Sequence, residues 1–292
     1  MAQPKSLSLD NKTLLKKGTA FLKKAWLVAV VVLASKYLVA NLGAIKGALL
    51  TLSMSKLFAA LCLSLLGKSV VIKVAHFALQ STKTDYSYRE IFRLYNRTQL
   101  AKYLPGGVWH IVGRAGIYTQ KGLSAKEAGL VLFRENGWLI LSSISFGLLL
   151  GAPALSERLH LPLMFTLAVP LIMYSTGAKL SDRLFGGHTY NSLPWQFLTW
   201  TIYGLSFAML LPKALSLSLV TQSVAAFSLA FGLGLAFPIA PSGIGIREAV
   251  LCWFFIGTLT TQEAFAMAAI ARLVWTAGEL LMAILAEHSV CD

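Results

Sequence analysis

Six ionisable side chains lie in or beside strongly apolar segments: Arg114, Glu135, Arg247, Glu248, Arg272 and Glu279. A charge at mid-bilayer costs about 2.5–3.5 kcal/mol even on lenient insertion scales. Such groups are therefore expected to face a polar interior and to pair with one another or with a bound ligand. Guanidinium presents a rigid fork of donors that fits a phosphate. Arg114, Arg247 and Arg272 are thus candidate anion contacts, with Glu135, Glu248 and Glu279 as counter-charges or carriers of a coupled proton. The plainer alternative makes Arg247–Glu248 and Arg272–Glu279 structural ion pairs, since residues seven apart share a helix face.

Two short motifs accompany these charges. YLPGGVWHIVGRAG begins at Tyr103 and contains Pro105, Gly106, Gly107, Trp109 and His110. APSGIGIREAV begins at Ala240 and contains Pro241, Ser242, Gly243 and Gly245. Proline fixes a turn and lacks a donor, and glycine admits conformations that other residues resist. Each motif is expected to break a helix within or at the edge of the bilayer, where irregular backbone must meet protein or a wet cavity. The helix after the turn offers free N–H groups and a positive dipole end, suited to an anion. Trp109 is expected as an interfacial anchor. His110 is expected to bridge hydrogen bonds rather than carry protons.

The two motifs occur at one spacing. An offset of 136 residues relates Pro105 to Pro241, Gly107 to Gly243, Leu123 to Leu259, Glu127 to Glu263 and Ala128 to Ala264. Ser124–Glu127 and Thr260–Glu263 both fit the S/T-x-x-E capping box. Each half reads as Pro-x-Gly turn, short helix, capping box, long helix. Paired broken helices at matching positions point to a transport site.

The elements that must position these residues are apolar runs. Candidate spans are Ala25 to Gly43, Leu130 to Leu150, Leu161 to Lys179, Leu215 to Phe237 and Ala264 to Leu285, with Trp195 to Leu211 shorter. The run from Lys46 to Leu79 is too long for one span, so part of it should project or tilt. Within and near these runs, Lys36, Lys56 and Lys68 are expected to snorkel to headgroups, and Lys102 and Tyr103 to act as flanking anchors. Composition agrees: 56% of residues are hydrophobic, 13% are charged and mean hydropathy is +0.67. The expected fold is an all-α, polytopic integral membrane bundle of about six to eight spans. It would carry two broken or re-entrant Pro-x-Gly segments in an internal repeat. A basic tail over 1–24 would precede a single transmembrane domain over 25–286, with halves of roughly 25–150 and 161–286.

Net charge is +14, and 20 of the 26 basic residues lie in residues 1–134. Positive-inside logic places the tail and the 73–134 region on the cytoplasmic face. Within that region Arg89, Arg93 and Arg97 form an i, i+4, i+8 stripe beside Tyr88, Ile91, Phe92 and Tyr95. This reads as an amphipathic interfacial helix with its cations at headgroup level. Anionic lipid is the natural partner of such charge; nucleic acid is not expected. Cys62, Cys252 and Cys291 show no metal or disulfide spacing, and the five histidines make no cluster. No cofactor is expected.

KYLPGGVWHIVGR (Lys102 to Arg114) and PSGIGIREA (Pro241 to Ala249) resemble the signature segments of the lysylphosphatidylglycerol synthase transmembrane region, the flippase-like domain family. Asn96, Glu135 and Arg272 stand where that family tends to hold such residues. Ser242 replaces a frequent glycine. The resemblance spans roughly Ala25 to Leu285. It implies a domain that binds or moves anionic phospholipid or polyprenyl-phosphate-linked sugar across a bacterial cytoplasmic membrane, with the N-terminus cytoplasmic. Longer relatives add an aminoacyl-transferase domain, which is not expected here. A lipid translocase is therefore the leading expectation, and not an enzyme. The alternatives are a scaffold for a lipid-modifying enzyme or glycosyltransferase, and an intramembrane hydrolase using Ser242, which lacks a GxSxG elbow.

Overall fold

The computed structural model describes residues 39, 42–80, 82, 84–103, 108–185, 189–237, 243 and 245–288. Two compact units divide the chain, residues 1–42 and 43–292, and the packing below concerns the second. The basic tail, nearly all of the expected Ala25 to Gly43 span, and Pro105, Gly106, Gly107, Pro241 and Ser242 lie outside the described residues.

Eleven α-helices follow one another among the described residues: α1 (Leu42–Thr51), α2 (Met54–Leu79), α3 (Tyr88–Gln99), α4 (Trp109–Gln120), α5 (Ala125–Leu150), α6 (Ala152–Leu159), α7 (Leu163–Phe185), α8 (Thr189–Met209), α9 (Leu217–Ala236), α10 (Ile246–Phe254) and α11 (Thr261–His288). A 3-10 turn, Leu100–Tyr103, follows α3. No strand forms among these residues beyond an isolated bridge between Ile256 and Leu259. The fold is all-α.

Helix starts follow local chemistry. A buried helix end needs partners for its first N–H groups, and hydroxyl side chains supply them. Ser53 accepts from the Lys56 N–H and so splits the long Lys46–Leu79 run into α1 and α2. Complete capping boxes begin α3 at Ser87–Glu90 and α5 at Ser124–Glu127. Thr260 and Glu263 exchange the same two bonds at the start of α11, 2.8 and 3.2 Å. Both capping boxes read from the sequence are present.

Four helices are long and apolar enough to cross a membrane: α2, α7, α9 and α11. Helices α5 and α6 reach that length and hydropathy only as a pair, bent by 68°, for four to five candidate spans among the described residues. These elements mark an integral, multi-pass membrane protein. Helix α2 packs on α8, α9 on both α5 and α8, and α11 on α2 and α3. Small residues let the backbones close up, as expected where lipid gives no hydrophobic drive. A Cβ on Gly204 of α8 would lie 2.4 Å from the Cα of Val224 on α9, so only glycine fits that crossing. Serine hydroxyls satisfy themselves on nearby carbonyls, as Ser206 does on Ala60 at 2.7 Å.

Candidate functional site: buried charges around two short helices

Helices α4 and α10 are too short to span a bilayer, at 12 and 9 residues. Each is followed directly by a long helix, α5 and α11. One ion pair ties short helix to long helix in each case. Arg114 of α4 donates from Nη1 to Glu135 Oε1 of α5 at 2.6 Å, and both side chains are 1% exposed. The Arg114 guanidinium also lies over the Tyr95 ring, 4.4 Å from its centroid. Arg272 of α11 donates from Nε to Glu248 Oε1 of α10, with side-chain exposures of 24% and 14%. The other oxygen of Glu248 accepts the Gly245 N–H at 2.7 Å, which caps the start of α10.

The sequence pairs Arg247 with Glu248 and Arg272 with Glu279; the structure places the partners across helices. Residues seven apart sit two turns, about 10 Å, along a helix, beyond ion-pair reach for these side chains on one face. Adjacent residues point to different faces. Glu279 instead receives Lys68 of α2 at 3.2 Å and Lys102 of the 3-10 turn at 2.5 Å, both on Oε1. Lys68 is 4% exposed. It does not snorkel, because about 21 Å of helix precede it and about 17 Å follow. That position within a single span is the signal that sequence reading passed over. Lys102 is likewise a partner of Glu279 rather than only a flanking anchor.

Arg247 occupies a cradle of glycine. A Cβ on Gly234 of α9 would meet its Cγ and Nε at 2.8 Å. Gly243, at φ +68°, lies against the Gly234 backbone and Arg247 Nε, and Gly245 has φ +89°. Both positive values are conformations that other residues resist. The guanidinium stacks 4.5 Å from the Phe231 ring centroid. Lys102 lies within the electrostatic reach of Arg247, Lys68 and Glu279, so both short-helix regions contribute charge to one neighbourhood.

The remaining site candidates divide. His110 is buried in the first turn of α4, and its Nδ1 has no hydrogen-bond partner among the described residues; no bridge forms through that atom. Trp109 beside it is half exposed. Asn96 is buried, bonding the Phe92 carbonyl at 2.9 Å while its Oδ1 has no hydrogen-bond partner among the described residues. Arg89 and Arg97 lie on the exposed face of α3, with Arg93 half buried. The opposite aromatic face of α3 is covered by protein, not left for lipid: Ile91 and Tyr95 are buried, and the helix packs on α2, α4 and α11. A groove of about 470 Å³ opens beside it, lined by Arg97, Leu100, Leu280, Ala283, Ile284 and Glu287. No cluster of metal-ligating side chains occurs among the described residues.

No protein-family model matches the sequence, and no curated protein matches it significantly. The class defined by fold and site is a multi-pass helical membrane protein with ionised groups buried between its helices.

Proposed function

We propose that this protein is a lipid translocase that binds an anionic phospholipid or lipid-linked sugar by its phosphate and moves it through a cationic intramembrane groove. The observation that carries the reading is the set of buried and half-buried cations on and around the two short helices. Lys68, Lys102, Arg114, Arg247 and Arg272 face Glu135, Glu248 and Glu279, a surplus of two positive charges. Buried charges at membrane depth mark substrate and ion paths. No nucleotide-binding motif occurs in the sequence, so movement is downhill, ion-coupled or partner-driven.

The repeat supports the same reading. Helices α5 and α11 begin 136 residues apart, and α2 and α8 begin 135 apart. The contacts α2–α3, α3–α4 and α4–α5 have counterparts in α8–α9, α9–α10 and α10–α11. Two related halves with re-entrant short helices, within a bundle of six to eight spans in a bacterial cytoplasmic membrane with the N-terminus inside, complete the proposal. Alternating access is a rocking of one such half against the other.

Liposomes containing fluorescent phosphatidylglycerol test it. The parent should move label between leaflets without changing its mass. Arg114→Ala, which leaves Glu135 buried without its cation, and Arg247→Ala, which removes a candidate phosphate contact, should each slow that movement at least tenfold. Parental rates in both variants overturn the assigned groove. A change in label mass indicates an enzyme, and neither change nor movement indicates a scaffold.

A further inference from the structure

We propose that Lys68, Lys102 and His110 form a site for a phosphate-class anion, in which Glu279 is a resident carboxylate that the incoming anion displaces. None of the three is an arginine, and two carry no weight in the sequence reading. The site rests on charge and geometry; only the source of the anion rests on the translocase reading.

Two ammonium groups converge on a single oxygen. Lys68 and Lys102 both reach Glu279 Oε1, from α2 and from the 3-10 turn. One carboxylate balances one ammonium. With Arg114 matched to Glu135, two ammonium groups share the one remaining carboxylate, Glu279. A phosphodiester carries one negative charge and so matches the ammonium that Glu279 does not balance.

A buried ring nitrogen with no hydrogen-bond partner among the described residues completes the set. His110 is 8% exposed, and its Nδ1 has no partner among the described residues. Buried polar atoms are rarely left so, because they forgo both water and protein. The ring lies in the field of Lys102, Lys68, Arg114 and Glu279. It belongs to the first turn of α4, where no side chain caps the helix. The positive end of a helix adds to a phosphate site. An imidazole in its Nδ1–H tautomer, two ammoniums and a helix start are complementary to phosphate oxygens.

The 470 Å³ groove lies on the neighbouring outer face of α11 and is not lined by the site residues themselves. Leu100 precedes Lys102 by two residues, and Leu280 follows Glu279. Leu280 and Ile284 are about half exposed, at 49% and 53%. That wall suits an acyl chain, with Arg97 at its rim.

A purely structural clamp and a displaceable carboxylate give opposite results in Glu279→Gln. The full chain is purified in detergent, and its melting is followed by tryptophan fluorescence. Sodium phosphate is titrated against sodium chloride of equal ionic strength. Phosphatidylglycerol is titrated separately in mixed micelles against net-neutral phosphatidylcholine. The parent melt should rise with phosphate or with phosphatidylglycerol. Glu279→Gln, freed of its competitor, should bind about tenfold tighter, and Lys102→Met at least tenfold weaker. His110→Ala should weaken binding several-fold.

A response to inorganic phosphate identifies free phosphate as a source; a response to phosphatidylglycerol alone identifies a lipid headgroup. Either supports the site. No response in the parent, an equal response to phosphatidylcholine, or unchanged affinity in Lys102→Met overturns it. If Glu279→Gln does not fold, Lys102→Met decides alone. Label movement is read separately in liposomes. Binding without movement retires the translocase and keeps the site; movement without binding does the reverse.

Discussion

The two short helices carry their charges in opposite order. In α4 the guanidinium, Arg114, is on the short helix and the carboxylate, Glu135, on the long one. In α10 the carboxylate, Glu248, is on the short helix and the guanidinium, Arg272, on the long one. The chemistry is the same, yet the surroundings differ. The first pair is dry at 1% exposure on both sides, and an aromatic ring covers its cation. The second is partly exposed at 24% and 14%, and its carboxylate also caps a helix. The first pair is fully enclosed by protein and the second is not, so the depth of burial rather than the pairing decides what each holds together.

That contrast can be broken most strongly at the dry pair. Glu135→Ala leaves Arg114 buried without its carboxylate, and removing one partner of such a pair costs about 3–5 kcal/mol. A melting experiment in detergent should show a large loss of stability. The smaller loss expected from Glu248→Ala, about 1–3 kcal/mol, combines a partly exposed pair with a lost cap. Equal losses in the two variants would remove the distinction. A double-mutant cycle sharpens it: coupling between positions 114 and 135 should approach about 3 kcal/mol, and that between 248 and 272 should be nearer about 0.5–1 kcal/mol.

The far end of α10 offers a third, more modest test. Arg158 of α6 donates to the carbonyls of Trp253, Phe254 and Ile256 at 2.5, 3.3 and 2.8 Å, and Gln222 adds a bond to Phe254 at 2.6 Å. These carbonyls close the helix, where a cation also meets the negative dipole end. Arg158→Ala should destabilise by about 1–3 kcal/mol, with faster amide exchange confined to the α10 end. In the other half the matching end is held by Lys121, which pairs with Glu90.

The smallest effect belongs to that exposed pair. Lys121, followed by the Ser87 backbone N–H, holds the Glu90 carboxyl below the usual carboxylate range. A carboxyl lowered on folding adds stability that is present above its unfolded pKa, about 4.3. It is lost as pH falls through the lower folded value. Both side chains are more than 40% exposed, at 43% and 41%, so screening keeps the gain below about 1 kcal/mol. Melting of Glu90→Gln and parent should differ at pH 6 and converge toward pH 3.

What was legible in the sequence was mostly local. Ser124, Glu127, Thr260 and Glu263 announce two helix starts within four residues each, and the structure forms both. The polar stripe of α3 was legible from the spacing of Arg89, Arg93 and Arg97. What covers its aromatic face was not, because α2 and α11 are distant in sequence. The carboxylates of the site stood out as charges in apolar runs, yet their partners did not. Glu279 meets Lys68 across 211 positions and Lys102 across 177, and no periodicity encodes such a meeting. Lys68 was read as reaching the headgroups although its place in α2 puts them beyond a lysine's length.

The meeting of Lys68 with Glu279 also bears on how the protein is made. A ribosome delivers α2 long before α11, and the carboxylate that neutralises Lys68 arrives 211 residues after it. During that interval the nascent α2 holds an ammonium that hydrocarbon rejects, so it should linger at the insertion machinery or beside water until the final helix emerges. Chains that stop short of α11 should then be surveyed and degraded as orphans, although each of their earlier helices is complete.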